Sequence, residues 1–236
     1  MMTWMVFFLL AFQPPAFEVA SVKPTVHRSR AVGTVRTSPG GRVSIEGSTL
    51  EHLVEVALDV QRFQVTGGPE WMYIEGFDVE ARSGQSSGNA TSLNEEQRQM
   101  LLALLVERFQ LQFHRETRQG AVYFLARGNK RLKLKEAQNR DVASWISGPE
   151  NGIAAANVSM PSFARRLSRW LERPVFDHTG LDGVYDFKFE YDWSDPDRDV
   201  VAPILVSVKG LGLKLESGKG PVETVVIDRV ERLSGN

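Results

Sequence analysis

An α+β fold with an internal duplication is predicted, and three observations predict it. The apolar positions of Val43 to Ala81 recur over Ile153 to Tyr191 at an offset of 110, and those from Val106 onward recur at an offset of 102. Short alternating runs that read as strands are interleaved with two stretches per half whose apolar residues fall at helical spacing. Those stretches begin at a capping side chain or a proline, as helices do. Each half then reads β-α-β-β-α-β-β, with the helices packed on small mixed sheets. A repeat fixes which face each copy buries, but it carries no chemistry of its own.

The elements follow in order. Phe17 to Val22 alternates as a strand that Pro24 ends, and a Gly, Pro and Ser-rich passage through Ser38, Pro39, Gly40 and Gly41 follows. Val43 to Glu46 is a strand; Ser48 or Thr49 caps a helix whose stripe is Leu50, Leu53, Val54, Ala57 and Leu58. Phe63 to Thr66 returns as a strand into the Gly67-Gly68-Pro69 turn, and Phe77 to Ala81 is the next. Asn94 caps a second helix carrying Met100, Leu101, Leu104, Leu105 and Phe109. Two strands close the copy, Gln110 to Arg115 and Ala121 to Ala126, with the turn at Gly120.

The second half repeats this with strands at Ile153 to Asn157, Pro174 to Asp177 and Tyr185 to Tyr191, and helices at Pro161 to Leu171 and Pro203 to Gly210. Its closing strands are Leu211 to Glu216 and Val222 to Ile227. The register pairs Val43 with Ile153, Leu50 with Met160, Leu53 with Phe163 and Phe77 with Phe187, and the last two rings are expected in the core. Residues 1–16 are set aside as a signal or apolar segment. Residues 17–127 form the first repeat with an extra first strand, 128–152 a linker and 153–236 the second repeat.

Composition narrows the function classes. The 236 residues are 42% hydrophobic, which fits a globular protein, and 28 basic against 29 acidic residues leave a net charge of -1. No global charge invites nucleic acid. The absence of cysteine removes thiol nucleophiles, thiolate metal sites and disulfides. Trp4 to Phe12 is an apolar run too short to span a bilayer but suited to the centre of an export signal, and no Lys or Arg precedes Lys23. Export to a periplasm or the exterior is the expectation, with an atypical signal and no transmembrane span in the mature chain.

Several strings resemble the soil-associated protein family, secreted proteins numerous in Acidobacteria and known as a domain of unknown function. They are Phe17 to Pro24, Gly67 to Trp71, Phe77 to Ala81, Met100 through Glu107-Arg108-Phe109 to His114 and Glu116, Pro174 to Phe187, Leu211 to Glu216 and Pro221 to Asp228. The resemblance implies export and supplies no catalytic residues. Related domains look to be attached to membrane-bound sensor-type peptidases. The repeat unit is also similar, in element order alone, to the short N-terminal domain of secretins and TonB-dependent receptors, a periplasmic interaction module.

Candidate chemistry is sparse. Asp177, His178 and Thr179 bring an acid, a base and a hydroxyl together, but neighbours on a strand point to opposite faces, so a turn stabilised by Asp177 or Thr179, with Gly180 and Gly183 at special dihedrals, is the plainer reading. His27, His52, His114 and His178 form no pair at metal-site spacing; His52 reads as a surface residue. Asp195, Asp197 and Asp199 lack the Gly and Glu of a calcium loop, since Val200 and Val206 stand there. Arg127, Lys130, Arg131, Lys133 and Lys135 read as an edge strand whose lysines discourage pairing, since no aromatic residue interleaves for nucleic acid. Trp71 is the aromatic to watch, a core cover in its bland reading.

No catalytic, cofactor-binding or metal-ligating residue is assigned. The expected role is an interaction module that binds a protein, peptide or envelope ligand, an envelope protein or peptide first, through exposed sheet edges or the groove between the copies. One alternative is a ligand-sensing domain related to receptor ectodomains. Another is a hydrolase assembled from distant residues, with Asp177, His178 and His114 its first suspects.

Overall fold

The computed structural model describes residues 15–25, 33–84, 90, 92–138, 143–148, 152–190 and 201–233. The apolar segment at 1–16, apart from its last two residues, falls outside them, as do His27 and the acidic run Asp195, Asp197 and Asp199. Among the described residues are four helices and twelve strands in small sheets, an α+β fold. The chain divides into two compact units: Met1–Val60, Val65–His114 and Val225–Asn236 form unit 1, and Gln61–Gln64 with Arg115–Thr224 form unit 2.

In unit 1, strands β1 (Val19–Pro24), β2 (Thr34–Ser38), β3 (Arg42–Thr49) and, after the short β4 (Val65–Gly67), β5 (Gly76–Arg82) appear in chain order. Four of them make a sheet ordered β1-β5-β3-β2. Helices α1 (Leu50–Leu58) and α2 (Glu95–Phe109) touch each other, and α1 packs on β3. Thr49 caps α1 through His52 N, and Asn94 forms a reciprocal capping box with Gln97, so both predicted starts stand. Val43, Ile45, Leu50, Leu53, Val79, Leu101, Leu105 and Phe109 are the centre of this core.

Unit 2 contains the same sequence of parts. Strands β7 (Lys135–Glu136), β8 (Trp145–Ser147), β9 (Gly152–Ser159) and β11 (Val184–Glu190) make a sheet ordered β7-β11-β9-β8. Helices α3 (Met160–Leu171) and α4 (Val201–Gly210) pack on β9. Its core is built from Ile153, Met160, Phe163, Leu167, Phe187, Ile204 and Val208. The expected burial of the paired rings holds, with Phe77 3% and Phe187 6% exposed.

Several expectations change. The two closing hairpins are instead single long strands, β6 (Gln112–Arg127) and β12 (Leu213–Arg229), and Gly120 and Gly220 lie inside them rather than in turns. Gly120 stays glycine because a Cβ there would stand 2.8 Å from Val222 Cγ2. In unit 1, β4 runs parallel to Val225–Ile227 of β12. In unit 2, β10 (Val175–Asp177) runs parallel to Tyr123–Leu125 of β6.

The offset of 110 also stops before β5. Ile45 faces Val79 while Ala155 faces Phe187, so the equivalent of Phe187 is Val79, two residues from Phe77. The slip is hidden because a shift of two leaves every side chain on the same face of the strand, and both units carry an equivalent bulge before the helix start, at Gly47 and at Asn157.

Further, the passage before residue 42 contains β2, and the stretch 128–152 contains β7 and β8. The first strand includes Pro24 and lies at the sheet edge, where a missing N–H is tolerated. Of the basic run only Lys135 enters an edge strand; Lys23 faces Asp78 on β5, as Lys135 faces Asp186 on β11. The first strand, expected to be unrepeated, thus occupies the same sheet position in unit 1 as β7 does in unit 2.

Candidate functional site

Unit 2 contains a groove of about 350 Å³. A 3₁₀ turn (Arg62–Gln64), α3, β10 and the Pro221–Glu223 stretch of β12 surround it. Side-chain amides set that turn. Gln61 N donates to Gln64 Oε1 (3.0 Å), Gln61 Nε2 to the Arg165 carbonyl (3.0 Å), and Gln64 Nε2 to the Glu223 carbonyl (2.9 Å). Ser168 joins the helix to the strand: its Oγ donates to the Ala164 carbonyl (2.9 Å) and accepts from Val175 N (2.8 Å). Pro161, tolerated in the first turn of α3, and Pro174, which precedes β10, stiffen two walls.

The walls are apolar and the floor carries amides. Phe63, Phe176, Pro221 and Val222 complete the apolar lining. The acids on the rim are engaged elsewhere, Asp177 Oδ1 accepting from Thr179 N (2.9 Å) and Glu223 pairing with Arg115. Gln61 is 7% exposed, and its Oε1 is buried without a hydrogen-bond partner. An acceptor left so costs about 1–3 kcal/mol, and functional sites are where such costs collect.

Strand β10 is the terminal strand of its sheet. Tyr123 N donates to the Pro174 carbonyl and His178 N to the Leu125 carbonyl, both at 2.8 Å. The main-chain groups of Val175 and Asp177 therefore point away from β6. A second hollow of about 300 Å³, lined by Ser147, Gly152, Ile153, Lys188 and Glu190 among others, holds one titratable pair, Lys188 with Glu190 at 2.6 Å.

The hydrolase suspects do not assemble. His178 is exposed and stacks on Phe124, with centroids 4.6 Å apart, while the Asp177 carboxylate turns back to the chain. Thr179 Oγ1 accepts from Leu181 N (3.2 Å) and Gly180 takes φ 61°, so Asp177 to Gly180 is a turn; Gly183 needs no positive φ. His114 belongs to unit 1, where its Nδ1 meets both Asp228 oxygens at 2.9 and 3.0 Å on the surface. Arg127 donates to the Thr179 and Gly180 carbonyls (2.8 and 3.0 Å), which gives the basic run a structural task.

Trp71 closes the unit 1 core. Its ring is 6.4 Å from both Phe77 and Phe109, and Arg232, paired with Glu75 at 2.8 Å, lies 5.2 Å above it. Sequence reading missed one contact with catalytic residue types, Ser48 Oγ to His52 Nδ1 at 2.7 Å. Ser48 is wholly buried, and Gly33 lies so near that a Cβ there would be 2.1 Å from the hydroxyl. No substrate reaches it. His52, expected on the surface, is half-buried because it ties this serine to the helix start; the four-residue spacing across the cap was the available signal.

The class is set by these features: an α+β protein of two similarly ordered units, with no three His, Cys, Asp or Glu converging on a metal position among the described residues. The chain belongs to the family described as a protein of unknown function (DUF3738), whose model matches residues 51–230. No curated protein and no solved structure matches it. No described helix is long and apolar enough to cross a membrane.

Proposed function

We propose that the protein is a non-catalytic binding module that receives an extended peptide of an envelope partner in the groove of unit 2. The carrying observation is the combination of apolar walls from Phe63, Phe176 and three prolines with the terminal strand β10, where Ser168 Oγ holds the Val175 amide and the Val175 carbonyl and Asp177 main chain face away from β6. Strand addition supplies main-chain bonds to such an edge, and flanking pockets select side chains. The volume suits one or two side chains.

Export to the periplasm or exterior, membership of the acidobacterial soil-associated family and likeness to the secretin and TonB short domain are parts of this reading. The apolar run at Trp4 to Phe12 and the strings quoted above support the first two. Descent of the two halves from one repeat is supported by the common strand order and by paired Lys–Asp and bulge positions.

Panning a random displayed peptide library over the full chain tests the reading. Selected peptides should bind wild type and lose about tenfold or more with Phe176→Ala. Equal affinity for Phe176→Ala and wild type, with the variant melting normally, would sink it.

A further inference from the structure

Several of the described arginines pair with acids, among them Arg36 with Glu46, Arg98 with Asp59, Arg115 with Glu223 and Arg232 with Glu75. Helix α3 departs from this. Arg166, partly buried, and Arg169, exposed, stand three residues apart on it, Arg173 follows beyond its left-handed C-cap Glu172 with its guanidinium 4.9 Å over the Tyr123 ring, and none of the three has an acidic partner among the described residues. No acid lies anywhere within Met160–Leu171. Burial, and then the neighbouring Arg169 charge, pull the Arg166 guanidinium below its ordinary value.

Helix α4 touches α3, and both pack on β9. It adds Lys209 and two exposed aliphatic side chains, Leu205 at 38% and Val206 at 53%. None of these six residues lines either hollow.

We propose that the outward face of α3 and α4 docks unit 2 on an anionic phospholipid surface. Arg166, Arg169, Arg173 and Lys209 meet the headgroup phosphates, and Leu205 and Val206 enter the boundary below them. Long cations around aliphatic side chains suit a bilayer interface, where charge attracts and a few apolar groups insert. An acidic protein would instead be held in a shaped pocket, and these residues line neither hollow. The groove is separate from this surface, so either assignment can fail alone.

Co-sedimentation of the full chain with vesicles tests it. One set is phosphatidylcholine alone and the other contains roughly 30% phosphatidylglycerol, at about 0.1 M salt. Wild type should partition to the anionic set, and Arg166→Gln with Arg169→Gln should reduce that about thirtyfold, at roughly fivefold per arginine. Leu205→Asn should weaken it further, and Phe176→Ala should leave it unchanged. The first sixteen residues are common to all variants, so the difference reads the face. An unchanged partition for the double variant, or equal partition to both sets, overturns the proposal. So does capture of polyglutamate without binding to anionic vesicles, which gives the face to an acidic polypeptide.

Discussion

Asn157 takes the same left-handed turn as Gly47, at φ 55° against 63°, and each donates its amide to an aspartate. Gly47 N reaches Asp78 Oδ1 at 2.7 Å and Asn157 N reaches Asp186 Oδ1 at 2.8 Å. In each unit this bulge redirects the strand into its helix start. Glycine occupies that region without a side-chain penalty, so Asn157→Gly should raise stability by about 0.5 kcal/mol and Gly47→Asn should lower it by a similar amount. Asp186→Ala strands the bulge amide and should cost about 1–2 kcal/mol. Urea midpoints check all three.

Trp71→Ala should destabilise by about 2–3 kcal/mol, below the cost of a fully buried ring because Trp71 is only partly buried. Peptide binding at the groove should be untouched. A loss of binding at unchanged stability would restore Trp71 as a contact residue.

Tyr73 sets an alkaline limit. Burial first, and the Glu51 charge second, push its hydroxyl above the ordinary tyrosine value. The neutral form is thus favoured by folding. The associated stability is complete below the unfolded pKa near about 10 and is lost as pH rises through the folded one. Tyr73→Phe should flatten the fall of the urea midpoint between about pH 9.5 and 11, at a cost of about 1 kcal/mol for the bond to the Gly67 carbonyl. Equal slopes for wild type and variant would contradict this.

His114 and Asp228 form an exposed pair, and such pairs contribute about 0–1 kcal/mol. His114→Asn and His178→Ala should both melt within a few degrees of wild type, and both should retain groove binding. Abolition of a measurable hydrolysis by either substitution would revive the enzyme reading.

What was legible in the sequence follows from what each signal reports. Thr49, Asn94 and Pro161 announce helix starts because capping is local, and Phe77 and Phe187 announce burial because an apolar ring has few other places to go. Gly120 misled because glycine serves both turns and close strand approach, and only the neighbour, Val222, distinguishes them. The two-residue slip at Val79 and Phe187 was hidden because a shift of two leaves every side chain on the same face of a strand. The groove was out of reach: Gln61, Ser168, Phe176 and Pro221 are far apart in the chain, and nothing in their spacing joins them. Trp71 was visible as unusual, yet its partners Phe109 and Arg232 were not.

Hydrogen–deuterium exchange of the full chain, with and without a peptide selected from the library, tests the groove most directly. Protection should appear over residues 174–177 and 221–223 and along the first turns of α3, with the strand edges of unit 1 unchanged. Protection confined to Val19–Pro24 or to the β8 edge, with Val175 to Asp177 exchanging as before, would contradict the account.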